Sequence, residues 1–172
     1  MRYNRLMKTQ SGFTIIELFV VMIVLAIVSA IGIPGLAQLI RGGQMTSHAN
    51  GVLGAVQLAR SEASARGVPV AVCGSSDGAQ CDGEWGQGWL VFADPARTGN
   101  PAASTATVIM LGDGSAALSD VSGGLVRFAP SAVLDTGSET TISMARGTCG
   151  SEKRRVITLA PGGRTTLSEA EC

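Results

Sequence analysis

Aromatic residues are scarce in this chain: two Trp, one Tyr and four Phe in 172 residues, 4% of the total. With 23 glycines beside them, the core must be thin and the connections many, so only one small globular domain is expected. Histidine occurs once, at His48, which leaves Ser/His/Asp catalysis without a well-placed base. Histidine-rich metal sites are excluded on the same count. The four cysteines, Cys73, Cys81, Cys149 and Cys172, include no Cys-x-x-Cys pair, so a zinc site is not indicated either. Charge of one sign is absent overall, the formal balance being zero, and no global basic field points to nucleic acid. No cofactor motif is present and no enzymatic constellation stands behind any residue. His48, placed on a helix with no sequence-near partner, is expected at the surface.

What the chain does have is one long apolar run. Phe13 to Ile33 is about the length a helix needs to cross a hydrocarbon core. Its only ionised residue is Glu17, and a carboxylate at membrane depth costs a few kcal/mol on insertion scales, roughly 3 at the centre, so it needs a partner. Arg2, Arg5 and Lys8 precede the run with no acidic residue among them, a cytoplasmic flank under the positive-inside bias. A secretory signal would carry its small-residue cleavage site after the apolar stretch, whereas here Gly12 lies before it. Cutting between Gly12 and Phe13 would keep the apolar helix and create an amine on Phe13, one turn from Glu17. The alternative is an uncut signal anchor in which Glu17 reaches the interface. Once the leader's three basic residues are set aside, ten of the thirteen remain against thirteen acidic ones, a balance of −3.

Gly12-Phe13-Thr14-Ile15-Ile16-Glu17-Leu18 resembles the leader junction of type IV pilins and type II secretion pseudopilins. The resemblance implies cleavage after Gly12 by a prepilin peptidase and N-methylation of Phe13. It also implies that Glu17 pairs with a subunit amine during filament assembly and that Pro34 marks a helix kink. The expected organisation is a leader over 1–12, a transmembrane part over 13–33, an amphipathic continuation over 34–67 and a periplasmic antiparallel β domain over 68–172. The implied location is the bacterial inner membrane, single-pass, with later incorporation into a pilus or pseudopilus beside other pilins or pseudopilins.

After Pro34, apolar residues return at helical spacing: Leu36, Leu39, Ile40, then Val52, Leu53, Val56, Ala59 and Ala63. The spacing predicts a helix with weak points at Pro34 and at Gly42-Gly43, ending at Gly67 just before Pro69. Short strand-like runs follow at Val68–Cys73, Gly88–Phe92, Thr107–Leu111, Leu125–Phe128, Thr140–Met144 and Arg155–Leu159. Residues 102–107 and 112–124 read as polar loops. One helix followed by many strands excludes βαβ units and gives an α+β fold, a long helix packed on an antiparallel, sandwich-like sheet domain.

Leu58-Ala59-Arg60-Ser61-Glu62-Ala63, the stretch from Trp85 through Gly88-Trp89-Leu90-Val91-Phe92-Ala93-Asp94, and Val156–Leu159 with Gly163-Arg164 are similar to the minor branch of that family. That branch holds the H-type minor pseudopilin of type II secretion and the FimT/FimU-type minor pilins, and the cysteines and the Trp85–Asp94 stretch incline toward the pilins. The function implied is a structural subunit that helps prime filament assembly.

Four cysteines allow three pairings, and loop size favours Cys73–Cys81 with Cys149–Cys172 by elimination, in an oxidising compartment. The Asp-Gly pairs at Asp77, Asp82 and Asp113 lack the spacing of a calcium loop and read as turns. Trp89 is expected in the core, with Trp85 capping the loop beneath it. A further reading is DNA capture by Arg146, Lys153, Arg154, Arg155 and Arg164, several of which could meet at one end of the domain. DNA-receptor pilins of the FimT type carry Gly-Arg-x-Arg, whereas this chain reads Gly163-Arg164-Thr165-Thr166, so the second arginine is missing.

Overall fold

The computed structural model describes residues 12–101, 106–115, 118, 120–146 and 153–171. The leader before Gly12, and Cys149 and Cys172 with their expected bridge, lie outside the described residues. Among the described residues there is one α-helix, α1, from Ile15 to Arg66. Its start is set by Thr14, whose hydroxyl accepts a hydrogen bond from the Glu17 amide at 3.3 Å, so the first turn is capped by a side chain three residues upstream. Its end is Gly67, whose φ of 67° lies in the left-handed region that favours glycine and whose amide donates to the Ala63 carbonyl at 3.1 Å. The helical pattern continues through both Pro34 and Gly42-Gly43.

The chain divides into two compact units, residues 1–40 and 41–172. In the first, Ile15–Ile33 is a 19-residue apolar stretch with none of its length buried. At 1.5 Å per residue it spans about 28 Å, the depth of a bilayer's hydrocarbon core. Leu18, Phe19, Leu25, Ile31 and their neighbours are exposed along it, on all sides of the helix. Such a helix needs lipid or other helices around it.

Among the described residues, the second unit has eight strands after the helix. They are β1 (Val70–Gly74), β2 (Gly88–Ala93), β3 (Thr107–Asp113), β4 (Asp120–Gly123), β5 (Val126–Phe128), β6 (Thr140–Ala145), β7 (Arg154–Leu159) and β8 (Thr165–Ala170). They form two four-stranded sheets, ordered β3-β2-β1-β5 and β4-β6-β7-β8, and every pairing is antiparallel. This is the α+β architecture expected. Two strands were not foreseen: β4 falls in the stretch read as a loop, and β8 follows the last expected strand.

The helix reaches the core through Met45, Ala49, Val52, Val56, Ala59 and Ala63, spaced alternately four and three residues apart. These small side chains let α1 lie close against Val70, Val72 and Val91 of the first sheet and Ile142, Met144, Ile157 and Leu159 of the second, so one core serves all three layers. β1 and β2 are buried along their whole length. Their other faces, Ala71, Cys73, Leu90 and Phe92, form a second apolar cluster covered by Cys81, Ala106 and Leu125. That explains why Val-Ala-Val-Cys and Trp-Leu-Val-Phe-Ala read as unbroken apolar runs rather than alternating ones.

Candidate functional site

The N-terminal junction is simple in structure. Phe13 is 86% exposed, Thr14 caps the helix, and Glu17 lies exposed in its first turn. An acidic residue there also faces the positive end of the helix dipole. Among the described residues of the first unit, Glu17 has no cationic partner.

In the second unit the structure confirms one bridge directly. Cys73 and Cys81 are joined, their Cα atoms 5.6 Å apart and eight residues apart in sequence. The loop they close is organised by its own aspartates. Asp77 accepts from the Ala79 and Gln80 amides at 2.8 and 3.0 Å. Asp82 accepts from the Ser76 amide at 3.0 Å, from the Ser76 hydroxyl and from the Glu84 amide at 2.9 Å. Both carboxyls are held below the usual range, Asp77 mainly by the Ala79 amide and Asp82 mainly by the Ser76 hydroxyl. Turn chemistry accounts for both.

Trp85 and Trp89 are both core residues. Trp85 does more than cap a loop: it is fully buried and its indole N–H donates to the Gly123 carbonyl of β4 at 3.0 Å, tying the segment before β2 to the second sheet. Trp89 fills a slot that only glycines leave open. A Cβ on Gly51 of the helix would stand 2.9 Å from its ring, and one on Gly112 of β3 would stand 2.1 Å from Cε2 and 2.3 Å from Nε1. The indole therefore spans from the helix to β3.

His48 is a correction. It is 95% buried, exposing 5%, and its ring meets Trp89 edge to face with centroids 5.1 Å apart. The helical stripe explains it: His48 is three residues after Met45 and four before Val52, on the buried side. Burial holds its pKa below the ordinary 6.5, against a smaller raising effect from a backbone hydrogen bond with Trp85. The unfolded chain then binds the extra proton more readily, so stability rises with pH across the window below 6.5 and is lost as pH falls into it. An exposed carboxylate, Asp113, lines the same cleft as His48. The denaturation midpoint should fall between pH 7.5 and 5, and His48→Phe should flatten that slope. Asp77 and Asp82, whose ordinary value is 3.8, act only in a lower window and do not blur the test.

Four of the five basic residues lie at one end of the second sheet, and Arg164 does not. Lys153, Arg154 and Arg155 open β7, and Arg146 directly follows β6, whose end pairs with that opening. Arg164 lies exposed beyond the other end of β7, about 17 Å along the strand at 3.3 Å per residue. Arg155 and Lys153 pair with Glu169 of β8 at 3.0 and 3.5 Å, and Arg154 pairs with Asp120 of β4 at 3.1 Å. Exposed pairs of this kind contribute little to stability, about 0–1 kcal/mol each. They do offset the positive charge on this surface.

Two arrangements were missed at the level of sequence. Arg60 of α1 donates to the carbonyls of Ala132, Gly163 and Gly162 at 3.0, 2.9 and 3.4 Å, fastening the β5–β6 and β7–β8 connections to the helix. Asp94, 1% exposed, accepts from the Thr98 and Gly99 amides, each at 2.9 Å, and from Arg127 at 3.0 and 2.8 Å. Arg127 then reaches Asp135 at 3.6 Å, which Arg97 joins at 3.2 Å. Asp94 closes the Trp85–Asp94 stretch quoted above, so that stretch carries the anchor of a buried ionic network.

Comparison with known families decides what this assembly is. The model of the type II transport protein GspH family matches residues 48–163, and that of the prokaryotic N-terminal methylation motif matches residues 7–33. The chain belongs to the GspH family. It is therefore a minor pilin or pseudopilin of a type IV pilus or type II secretion machine, a family of structural subunits. The fold is also similar to that of the Pseudomonas aeruginosa type IV minor pilin FimU. One crystal form gives a TM-score of 0.56 at 20% identity over 73% of this chain and 89% of that one. A second gives 0.54 at 19% identity over 72% and 91%. No curated protein matches the chain in sequence. For this GspH-family member the methylation motif places prepilin processing at the N-terminus, and the apolar helix after it supports a membrane anchor.

Proposed function

We propose that this GspH-family chain is a FimU-like minor pilin that primes assembly of a type IV pilus after its leader is removed. The observation that carries the reading is the junction of the methylation motif with a membrane-length, wholly unburied helix. Prepilin peptidase cuts between Gly12 and Phe13 and the new amine is methylated. The 13–33 segment stores the subunit in the inner membrane with residues 68–172 in the periplasm, and residues 34–67 link the two. Glu17 then docks on the amine of a neighbouring pilin as helices bundle. The FimU-like fold supports the pilus reading. A second reading, an H-type pseudopilin of protein export, is favoured by the description under which its family model is known.

Mass spectrometry of sheared surface filaments, with the cell fraction alongside, tests both. The expected result is a peptide beginning at methylated Phe13 in the filaments. Processed protein found only with the cells would favour the secretion reading. An intact Gly12–Phe13 bond would overturn both.

A further inference from the structure

Gln57, Arg60, Ser61 and Ser64 follow the helical repeat and so share one side of α1. With Gly163 of the β7–β8 turn and Thr165 of β8 they line a cavity of about 350 Å³, the size of a small-molecule site. Formal charge among the lining residues is confined to Arg60. Arg60 is half-buried, and of its three hydrogen bonds the one from Nη2 to the Gly162 carbonyl is solvent-exposed. All three acceptors are peptide carbonyls, which carry no net charge. Among the described residues Arg60 makes no ion pair, and Glu62, the acid nearest to it along the helix, is taken by Arg66. The guanidinium therefore keeps its whole positive charge in a partly dehydrated place. Its bonds use one N–H each from Nε, Nη1 and Nη2, so of the five donors one remains on each Nη.

One uncompensated cation calls for one negative charge. A carboxylate brings that charge with two acceptor oxygens, whereas a phosphate ester brings about 1.5 to 2 charges, more than one guanidinium offsets. The rest of the lining is neutral. The Ser61 hydroxyl donates to the Leu58 carbonyl at 2.9 Å, so toward a ligand it accepts. The Ser64 and Thr165 hydroxyls and the Gln57 amide both donate and accept. Acceptors beside a cation suit a molecule that carries hydroxyl groups as well as its carboxylate. Arg164, exposed and outside the lining, stands between Gly163 and Thr165 in sequence and attracts anions without holding one.

We infer that this cavity binds a small hydroxylated carboxylate, a sugar acid or hydroxy acid. Its carboxylate pairs with the remaining N–H groups of Arg60, and its hydroxyls bond Ser61, Ser64 and Thr165. The site lies wholly within the second unit and does not depend on the docking role of Glu17.

The full chain, ¹⁵N-labelled and held in zwitterionic micelles, reports on the site through the Thr165 amide and the Arg60 Nε–H, which its bond to the Ala132 carbonyl protects from exchange. The probes are glucuronate and lactate, each beside its uncharged counterpart, glucose and propylene glycol, and inorganic phosphate, all at constant ionic strength. At least one acid should move both resonances saturably, with a Kd of millimolar order. The Trp85 indole N–H, committed to the Gly123 carbonyl, should stay in place. The uncharged counterpart should bind about tenfold more weakly or worse, and phosphate more weakly than the acid. Arg60→Lys should weaken the acid. If that variant unfolds, Ser64→Ala combined with Thr165→Val, which leaves every Arg60 bond in place, should weaken it about threefold, the loss of modest hydrogen bonds. No saturable shift with either acid, a shift that Trp85 shares, equal binding of the uncharged counterpart, tighter binding of phosphate, or unchanged affinity in a folded variant overturns the proposal.

Discussion

Asp94→Ala should destabilise the folded chain by about 3–5 kcal/mol, because it leaves a buried guanidinium without its carboxylate. Arg127 is only 15% exposed in its side chain, and its closest acceptor is Asp94 at 2.8 Å; Asp135, at 3.6 Å, is a longer and weaker second partner. Asp94 also holds the turn after β2 by accepting from two amides, so its loss frees Thr98 and Gly99 as well as the arginine. The shift in urea midpoint, followed by tryptophan fluorescence, measures the effect. The pair itself is a different matter. Two charges brought out of water give back much of their attraction as desolvation, so Asp94→Leu combined with Arg127→Met should be more stable than either single change. A loss below about 0.5 kcal/mol in Asp94→Ala, the range of ordinary surface changes, would show that the network is solvated and not structural.

Glu17→Ala should remove the protein from filaments while leaving it in the membrane. On insertion scales an acidic residue within an apolar span costs about 3 kcal/mol, so alanine makes the 13–33 segment easier to insert. Glu17 is unfavourable for anchoring and has no cationic partner among the described residues of its unit; in the docking role proposed above, the amine of a neighbouring Phe13-type terminus would have the right charge. Comparing membrane and sheared-filament fractions by quantitative mass spectrometry separates the two effects. Glu17→Gln, which keeps the shape and loses the charge, should fail in the same way. Wild-type abundance of Glu17→Ala in filaments would remove the docking role and leave Glu17 as a helix-start residue only.

The parts of this fold that sequence discloses are those governed by neighbours along the chain. Gly67 with Pro69 announces the helix end, and the structure finds Gly67 in the left-handed conformation that such an end requires. The runs that became β1 and β2 were visible because they are buried on both faces and hence apolar throughout. β4 and β8 were not, because edge strands of a half-solvated sheet need few apolar residues. Asp120–Gly123 packs only Val121 on the core, and Thr165–Ala170 only Leu167. Cys73–Cys81 was legible from loop length alone. His48 was misplaced although its signal was present, for it shares the spacing of Met45 and Val52; polarity outweighed periodicity. Arg60 and the Asp94–Arg127 pair were out of reach for a plain reason. Their partners lie 72 and 103 residues away in the first case and 33 in the second, and no local pattern encodes a contact that only the finished topology creates.

Arg60 has one further consequence. It grips its two turns through the main chain, recognising the Ala132, Gly162 and Gly163 carbonyls and none of their side chains. Peptide oxygens are common to every residue, so the grip is blind to most of what the turns spell. Two positions are prescribed: at Gly163 a side chain would strike the Ala132 oxygen at 2.5 Å and Arg60 itself at 3.0 Å, and Ala132 holds a left-handed φ of 62° that bulkier side chains resist. The remaining turn positions, Arg164 among them, are free to change their chemistry without losing their station on the helix. A subunit built this way can diversify what it shows to its surroundings while the scaffold that presents it stays still.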